Sequence, residues 1–407
     1  MSGSAVGAEA RLLNRQLARF NAAHPNETVV LRVTPDAADQ RHQLYVQWLN
    51  AQSTEPDVLQ LDVIWTPEFA AAGWILPVDR FQPHPEDFFE AAIAANRWQT
   101  ALYAVPWFMD VGMLYWRTDL LERAPTTFES MARDTARIQR ERGVRYGLVW
   151  QGARYEGLVT VFLEYLGGFG GRMIDEDGRV VVDSARAVQA LHAMWDDVHG
   201  AGAIVPEAAL AWQEEQTRFA FQNGDAVLMR NWPYAAPLLA DASQSRVAGR
   251  FAVASMPAAP GGVASASLGG SQLAINARSR HPDLASALIS FLTAPEQMIE
   301  RMREVGQYPS RPALYDTQAL ADASALPPLT VRAVIERAVP RPVTPVYMQL
   351  SEILQGHLHG ALTGQQTPEA ALADAAREMT TLLARTGLAG PDARGVRQPP
   401  APVGPRR

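Results

Sequence analysis

Three short stretches set a tryptophan beside a polar or charged residue where an apolar run ends: DVIW at 62–65, VPWFMD at 105–110 and RNWPYA at 230–235. Asp62, Asp110 and Glu156 (in ARYEG) are carboxylates of the kind that cleave a glycosidic bond as acid and base or nucleophile, a chemistry governed by their separation. The same side chains suit recognition without reaction. A pyranose packs its C–H face on an indole ring, and its hydroxyl rim, at once donor and acceptor, is met by carboxylates and guanidinium groups. A buried carboxylate is costly unless paired, and a bound polyol supplies the missing donors. Each residue also has an ordinary structural role: Asp62 as the cap of the next helix, Asp110 as the cap of a turn, and Trp65, Trp107 and Trp232 as plain core. Recurrence at three strand ends favours a site.

Other chemistries find little support. The chain has no cysteine, which removes thiol nucleophiles, thiolate metal sites and disulfides together. Of its eight histidines, only His357 and His359 lie close in sequence, and they fall on different faces of a helix without a third ligand at metal spacing. Neither a metal nor a cofactor is expected. No GxSxG, P-loop or GxGxxG follows a strand, and GGFGG at 167–171 reads as a helix C-cap and turn. A net charge of -7 offers no basic footprint for a phosphate backbone, so nucleic acid is not an expected partner.

The elements that must position these residues follow from length and pattern. At 407 residues the chain exceeds the roughly 250–300 at which single cores stop growing, which implies two domains. With 47% apolar and 19% charged residues it has material for ordinary globular cores. No stretch reaches the roughly 20 apolar residues needed to cross a bilayer. AEARLLNRQLARFNAAHP is helical, TVVLRVT a β-branched strand, DAADQRHQLYVQWLNAQ helical and DVLQLDVIW a buried strand. Such alternation implies a mostly parallel sheet flanked by helices, whose ligands sit at the carboxyl ends of the strands.

The pattern restarts after residue 112. TTFESMARDTARIQRERG opens with a threonine N-cap and closes at Gly143; RYGLVWQ is a strand, and helices near 184–200 and 212–223 lead into DAVLMRNW. FAVASMP, a turn at PGG and SASLGGSQLAINA read as strands crossing between domains, and helices fill the rest to about 386. The expected division is 1–112 plus 258–310 for the first domain and 113–257 plus 311–386 for the second. Residues 387–407, rich in Pro, Gly and Arg, read as a disordered tail.

Taken together, DVIWTPEFAAAGWILPVD, YAVPWFMDVGMLYWRTDLLE, GLVWQGARYEGLV, FQNGDAVLMRNWPYA, SLGGSQLAI and AVPRPVTPVYMQLSEILQ resemble the bacterial extracellular solute-binding proteins of ABC sugar importers, in their trehalose/maltose-binding branch. The resemblance runs in order from about residue 8 to 386. It implies a non-enzymatic, monomeric, two-lobed Venus-flytrap protein (the type II periplasmic-binding fold) that holds an α-linked disaccharide in an interlobe cleft and presents it to a membrane permease outside the cytoplasm. Position by position it implies sugar contacts at Glu9, Arg41, Asp62, Asp110, Trp232, Gly270, Arg341 and Tyr347, with Trp65, Trp107, Tyr155 and Glu156 as further candidates in matching segments. Ordinary readings stay open: a solvated helix face for Glu9 and Arg41, a solvated loop for Arg341, helix-start packing for Tyr347, close strand packing for Gly270. Tyr234 is undecided between rim contact and packing, and Pro233 is expected to start a helix. A glycosidase and a polyol or glycerol-phosphate binder are the alternatives.

Two departures stand out. Ser271 occupies the position where similar proteins carry an aromatic, which removes one stacking face. The family also begins with a signal sequence and a first strand ahead of the Glu9 loop; only MSGSAVG precedes it here, which points to a mis-assigned or truncated start.

Overall fold

The structure is a computed structural model that describes residues 1–4, 7–35, 38–81 and 84–389. All but the first three residues of the tail expected at 387–407 lie outside the described residues. The chain forms two compact units. Among the described residues, the first comprises those within 1–110, 269–324 and 343–345; the second comprises those within 111–268, 325–342 and 346–389. Compared with the expected division, 111–112 and 258–268 belong to the second unit and 311–324 and 343–345 to the first.

The first unit is built on a sheet with strand order Tyr308–Pro309, Val105–Val111, Ala266–Ile275, Val58–Asp62, Ser2–Ser4 and Arg32–Thr34. Val58–Asp62 is buried, with Gln60 its one polar interior residue, until Asp62 emerges half-buried at its carboxyl end. Its antiparallel neighbour sets Ser271 opposite Asp62. The strand expected to be missing is present. Ser2–Ser4 pairs in parallel with Arg32–Thr34 on one side and meets Leu59 on the other. A Ser-Gly-Ser triplet has little strand propensity, so its extension is imposed by its neighbours, and pattern alone does not reveal it.

The helix Gly7–Ala23 follows, burying Leu12, Leu13, Leu17 and Phe20 at helical spacing. It lies against the helix Pro295–Val305, to which Arg15 and Arg19 are ion-paired through Glu304 and Glu300. That second helix starts on a proline and stops at Gly306, whose φ of 75° suits a residue without a β-carbon.

The second unit has a four-stranded sheet ordered Phe251–Ala254, Met113–Arg117, Ala226–Asn231 and Tyr146–Val149. Only the last pair is parallel. The expectation of a mostly parallel sheet therefore fails in this unit, and the first unit's sheet is mixed, with Ala266–Ile275 antiparallel to Val58–Asp62 and Tyr308–Pro309 antiparallel to Val105–Val111. Met113–Arg117 lies inside the second unit's sheet and runs antiparallel to both of its neighbours, so one reversed strand sets two of the three pairings. The core gathers Trp150, Phe162, Tyr165, Leu191, Leu354 and Met379 beneath the helices Glu156–Gly168, Ala185–His199, Tyr347–Leu362 and Pro368–Arg385. Thr127 caps the helix Phe128–Arg142 in reciprocal hydrogen bonds with Ser130, and Gly143 ends it at φ 67°, as the sequence implies.

Candidate functional site

In the first unit the strand ends assemble an acidic group. Asp62 closes its strand and accepts the Ile64 N–H at 3.2 Å; Asp110 stands near the end of Val105–Val111; Glu9 lies in the first turn of Gly7–Ala23, where a carboxylate is favoured by the helix dipole. Burial, then the negative charges of Asp62 and Glu9, push the Asp110 carboxyl up to about 7. The surface around Asp110 therefore favours a neutral acid or an occupant that donates hydrogen bonds. Gly270 sits beside it at φ 110°, so close to the neighbouring strand that a β-carbon would collide with the Phe108 carbonyl. Close packing of strands accounts for that glycine. Ser271 is buried and its hydroxyl accepts from Gln60 at 3.0 Å.

Two expected stacking platforms in this unit are core residues. Trp65 is 1% exposed and Trp107 is fully buried. Trp65 packs against Phe69, Tyr45 and His42, with the Arg41 guanidinium 5.4 Å from its ring centre. Trp107 is covered by Arg301, whose guanidinium lies 3.8 Å from the ring centre. Neither indole offers a free face to a ligand, because both rings are packed into the interior. Arg41 is itself buried and donates to the Pro35 carbonyl at 3.3 Å. Arg301, which no local pattern distinguishes, also donates to Glu9 at 3.4 Å and to Gln307 at 2.6 Å; burial lowers it to about 10 although Glu9 opposes that shift. It holds Glu9 in place.

The second unit answers what RNWPYA is for. Arg230 is fully buried and makes a bidentate pair with Glu164, at 2.9 and 2.5 Å, and a further bond to Gln151 at 3.1 Å. The same guanidinium lies 4.1 Å beneath the centre of the Trp232 ring, a cation–π contact. Asn231 accepts the Trp232 N–H at 2.8 Å, and Tyr115 donates to the Trp232 carbonyl at 2.8 Å. The indole is thus held from below and along its backbone, yet remains half-buried. Its ring N–H donates to Glu214 at 3.3 Å. Tyr155 lies against the same Glu214, and burial together with that charge holds its phenol well above the usual range. Tyr234 donates to Glu215 at 2.7 Å, so it packs on the preceding helix, Glu214–Gln222. Pro233 is buried just ahead of the helix Ala235–Ala240.

A second cluster centres on Glu156, the first residue of its helix. It accepts from Arg341 and Tyr347, each at 2.7 Å, and from Ser351. Arg341 and Tyr347 are both buried. Burial and the adjacent carboxylate raise the Tyr347 phenol well above its ordinary value. This network braces the segment between Pro340 and Pro342, and it occupies Glu156 as an acceptor.

The histidines have structural partners: His357 faces Gln366 and Glu378, and His359 the Leu210 carbonyl. Among the described residues no group of three or more His, Asp or Glu is arranged to hold a metal, and no helix is long and apolar enough to cross a membrane.

Residues 6–299 match the family described as bacterial extracellular solute-binding protein. The chain belongs to that family. A probable ABC transporter-binding protein of Deinococcus radiodurans is 34% identical over 369 residues, 86% of each chain. Maltose-bound MalE3 of T. maritima is 39% identical and superimposes with a TM-score of 0.84 over 94% of this chain and 99% of its own. The GacH receptor of Streptomyces glaucescens, 24% identical, has a TM-score of 0.81 over 94% of this chain and 97% of its own, which shows a shared fold. The two-lobed α/β fold of this family is therefore that of the present chain, and it is an ABC-transporter solute-binding protein rather than an enzyme. The glycosidase reading of Asp62, Asp110 and Glu156 falls with that.

Within this solute-binding protein the structure joins Glu9, Asp62 and Asp110 in one electrostatic group and Glu156, Arg341 and Tyr347 in one hydrogen-bonded network. Trp232 and Tyr155 are linked through Glu214. Sequence reading missed Glu214 and Arg301. Glu214 opens the helix Glu214–Gln222, an ordinary place for an acid, and only the fold reveals that it faces an indole N–H.

Proposed function

We propose that this protein captures an α-linked disaccharide, of the maltose or trehalose kind, outside the cytoplasm and delivers it as a monomer to the permease of an ABC transporter. The observation that carries the reading is Trp232. A half-buried indole, fixed from beneath by the Arg230–Glu164 pair and flanked by Glu214, is a platform for the C–H face of a pyranose with a hydroxyl acceptor at its edge. The Glu9, Asp62 and Asp110 carboxylates of the first unit are proposed to accept further sugar hydroxyls. The maltose held by MalE3, at 39% identity, supports the disaccharide class.

The test is calorimetric titration with maltose, trehalose and sucrose, with ribitol and glycerol 3-phosphate as contrasts. One of the disaccharides is expected to saturate a single site. Trp232→Ala is expected to weaken that sugar by about 1–3 kcal/mol, the scale of a lost buried aromatic contact, with its melting curve retained. Silence across the disaccharides, or tighter binding of glycerol 3-phosphate that Trp232→Ala abolishes, refutes the reading.

A further inference from the structure

The second unit holds a concavity of about 260 Å³ that the sugar-binding reading does not use. Its walls are the two glycine-rich turns of the sequence, GGFGG at 167–171 and the Gly-Gly of PGG at 261–262, together with the start of the strand Ala266–Ile275. Leu163, Leu166 and Val339 give it an apolar lining, and Arg172, Arg186 and Arg337 reach it from three different parts of the unit. No Asp or Glu lines it, in a chain whose net charge is -7.

Two features of these arginines call for a negative occupant. Arg186 lies in the first turn of the helix Ala185–His199, a turn with no acidic residue, where a cation opposes the helix dipole. Arg337 is exposed and has no side-chain partner among the described residues. The existing bonds are few: Arg186 donates to the Gly170 carbonyl at 2.6 Å and Arg172 to Glu176 at 3.0 Å. Three guanidinium groups around one small cavity repel one another, and each presents planar donors matched to carboxylate or phosphate oxygens. Cavities that combine an apolar lining with a few convergent polar groups are the usual form of small-molecule sites.

We propose that this concavity is a second ligand site, selective for a small organic anion that carries two or more carboxylate or phosphate groups on a compact body. It is separate from Trp232 and from the Glu156 network, so its occupancy does not depend on the sugar assignment. Citrate and succinate are the probes, each titrated calorimetrically into the full chain at low ionic strength and neutral pH. At least one is expected to saturate a single site. The Arg186→Ala/Arg337→Ala variant is expected to weaken that probe by tenfold or more with an unchanged melting curve, and Trp232→Ala is expected to leave it as it was. Should the double variant melt early, Arg337→Gln alone, an exposed position, provides the comparison. Absence of saturable binding by both probes, or equal binding by the arginine variants, overturns the proposal.

Discussion

Replacing Glu164 by alanine strips the partner from a guanidinium that has no access to water. Glu164 and Arg230 are both fully buried and joined by two bonds, and Glu164 also accepts the Ser267 backbone N–H at 3.1 Å. Removing one member of such a pair leaves an uncompensated buried charge, at about 3–5 kcal/mol. For a unit of this size each kcal/mol moves Tm by roughly 2–4 °C, so the expected fall is roughly 6–20 °C. Thermal melts followed by circular dichroism measure it. The double variant Glu164→Gln/Arg230→Met is expected to recover much of the loss, since neither charge remains to be buried. It should bind sugar less well than the parent, because the cation beneath Trp232 is gone. A single variant that loses less than about 1 kcal/mol, or a double variant worse than the single, refutes the claim that an unpaired charge is the cost.

Trp107→Ala is expected to lower stability by about 3–5 kcal/mol in urea denaturation, the range for emptying a buried aromatic position; a large affinity loss with unchanged stability identifies a ligand platform instead. Asp110 titrates near 7 in the fold against 3.8 for a free carboxyl, so the native state binds the proton more tightly than the unfolded one. Stability without ligand should therefore fall as pH rises from about 4 to about 7. Asp110→Asn should flatten that slope in denaturation midpoints taken across the window. Asp197, hydrogen-bonded to Tyr165 at 2.6 Å and raised by burial to about 7, contributes a slope of the same sign. Asp197→Asn removes that second part independently.

What the sequence made legible was what local chemistry decides. The Thr127 cap, the Gly143 stop, the buried strand ending at Asp62 and the helical face of Leu12, Leu13, Leu17 and Phe20 all follow from residues within a few positions of each other. The place of Trp232 was legible too: it directly follows the strand Ala226–Asn231, with Pro233 leading into the helix Ala235–Ala240. Trp65 and Trp107 have equally suggestive neighbours in sequence, yet each is covered by residues from afar: His42 and Tyr45 for one, Arg301 for the other. Burial of a side chain is a property of the packed chain, and no motif of six residues encodes it. Arg301 and Glu214 were invisible for the complementary reason, their significance lying wholly in what they touch. The Ser2–Ser4 strand owes its shape to partners 30 and 57 residues away.

Gly112 stands between the strands Val105–Val111 and Met113–Arg117, and its amide donates to the Ser267 carbonyl at 3.2 Å. A β-carbon there would collide with the Glu164 carboxylate and the Arg230 guanidinium. Mutational drift at this site is therefore closed off by electrostatics rather than by backbone conformation: even alanine would have to pry apart an ion pair shielded from solvent. The position can change only in a lineage that first gives up both charges.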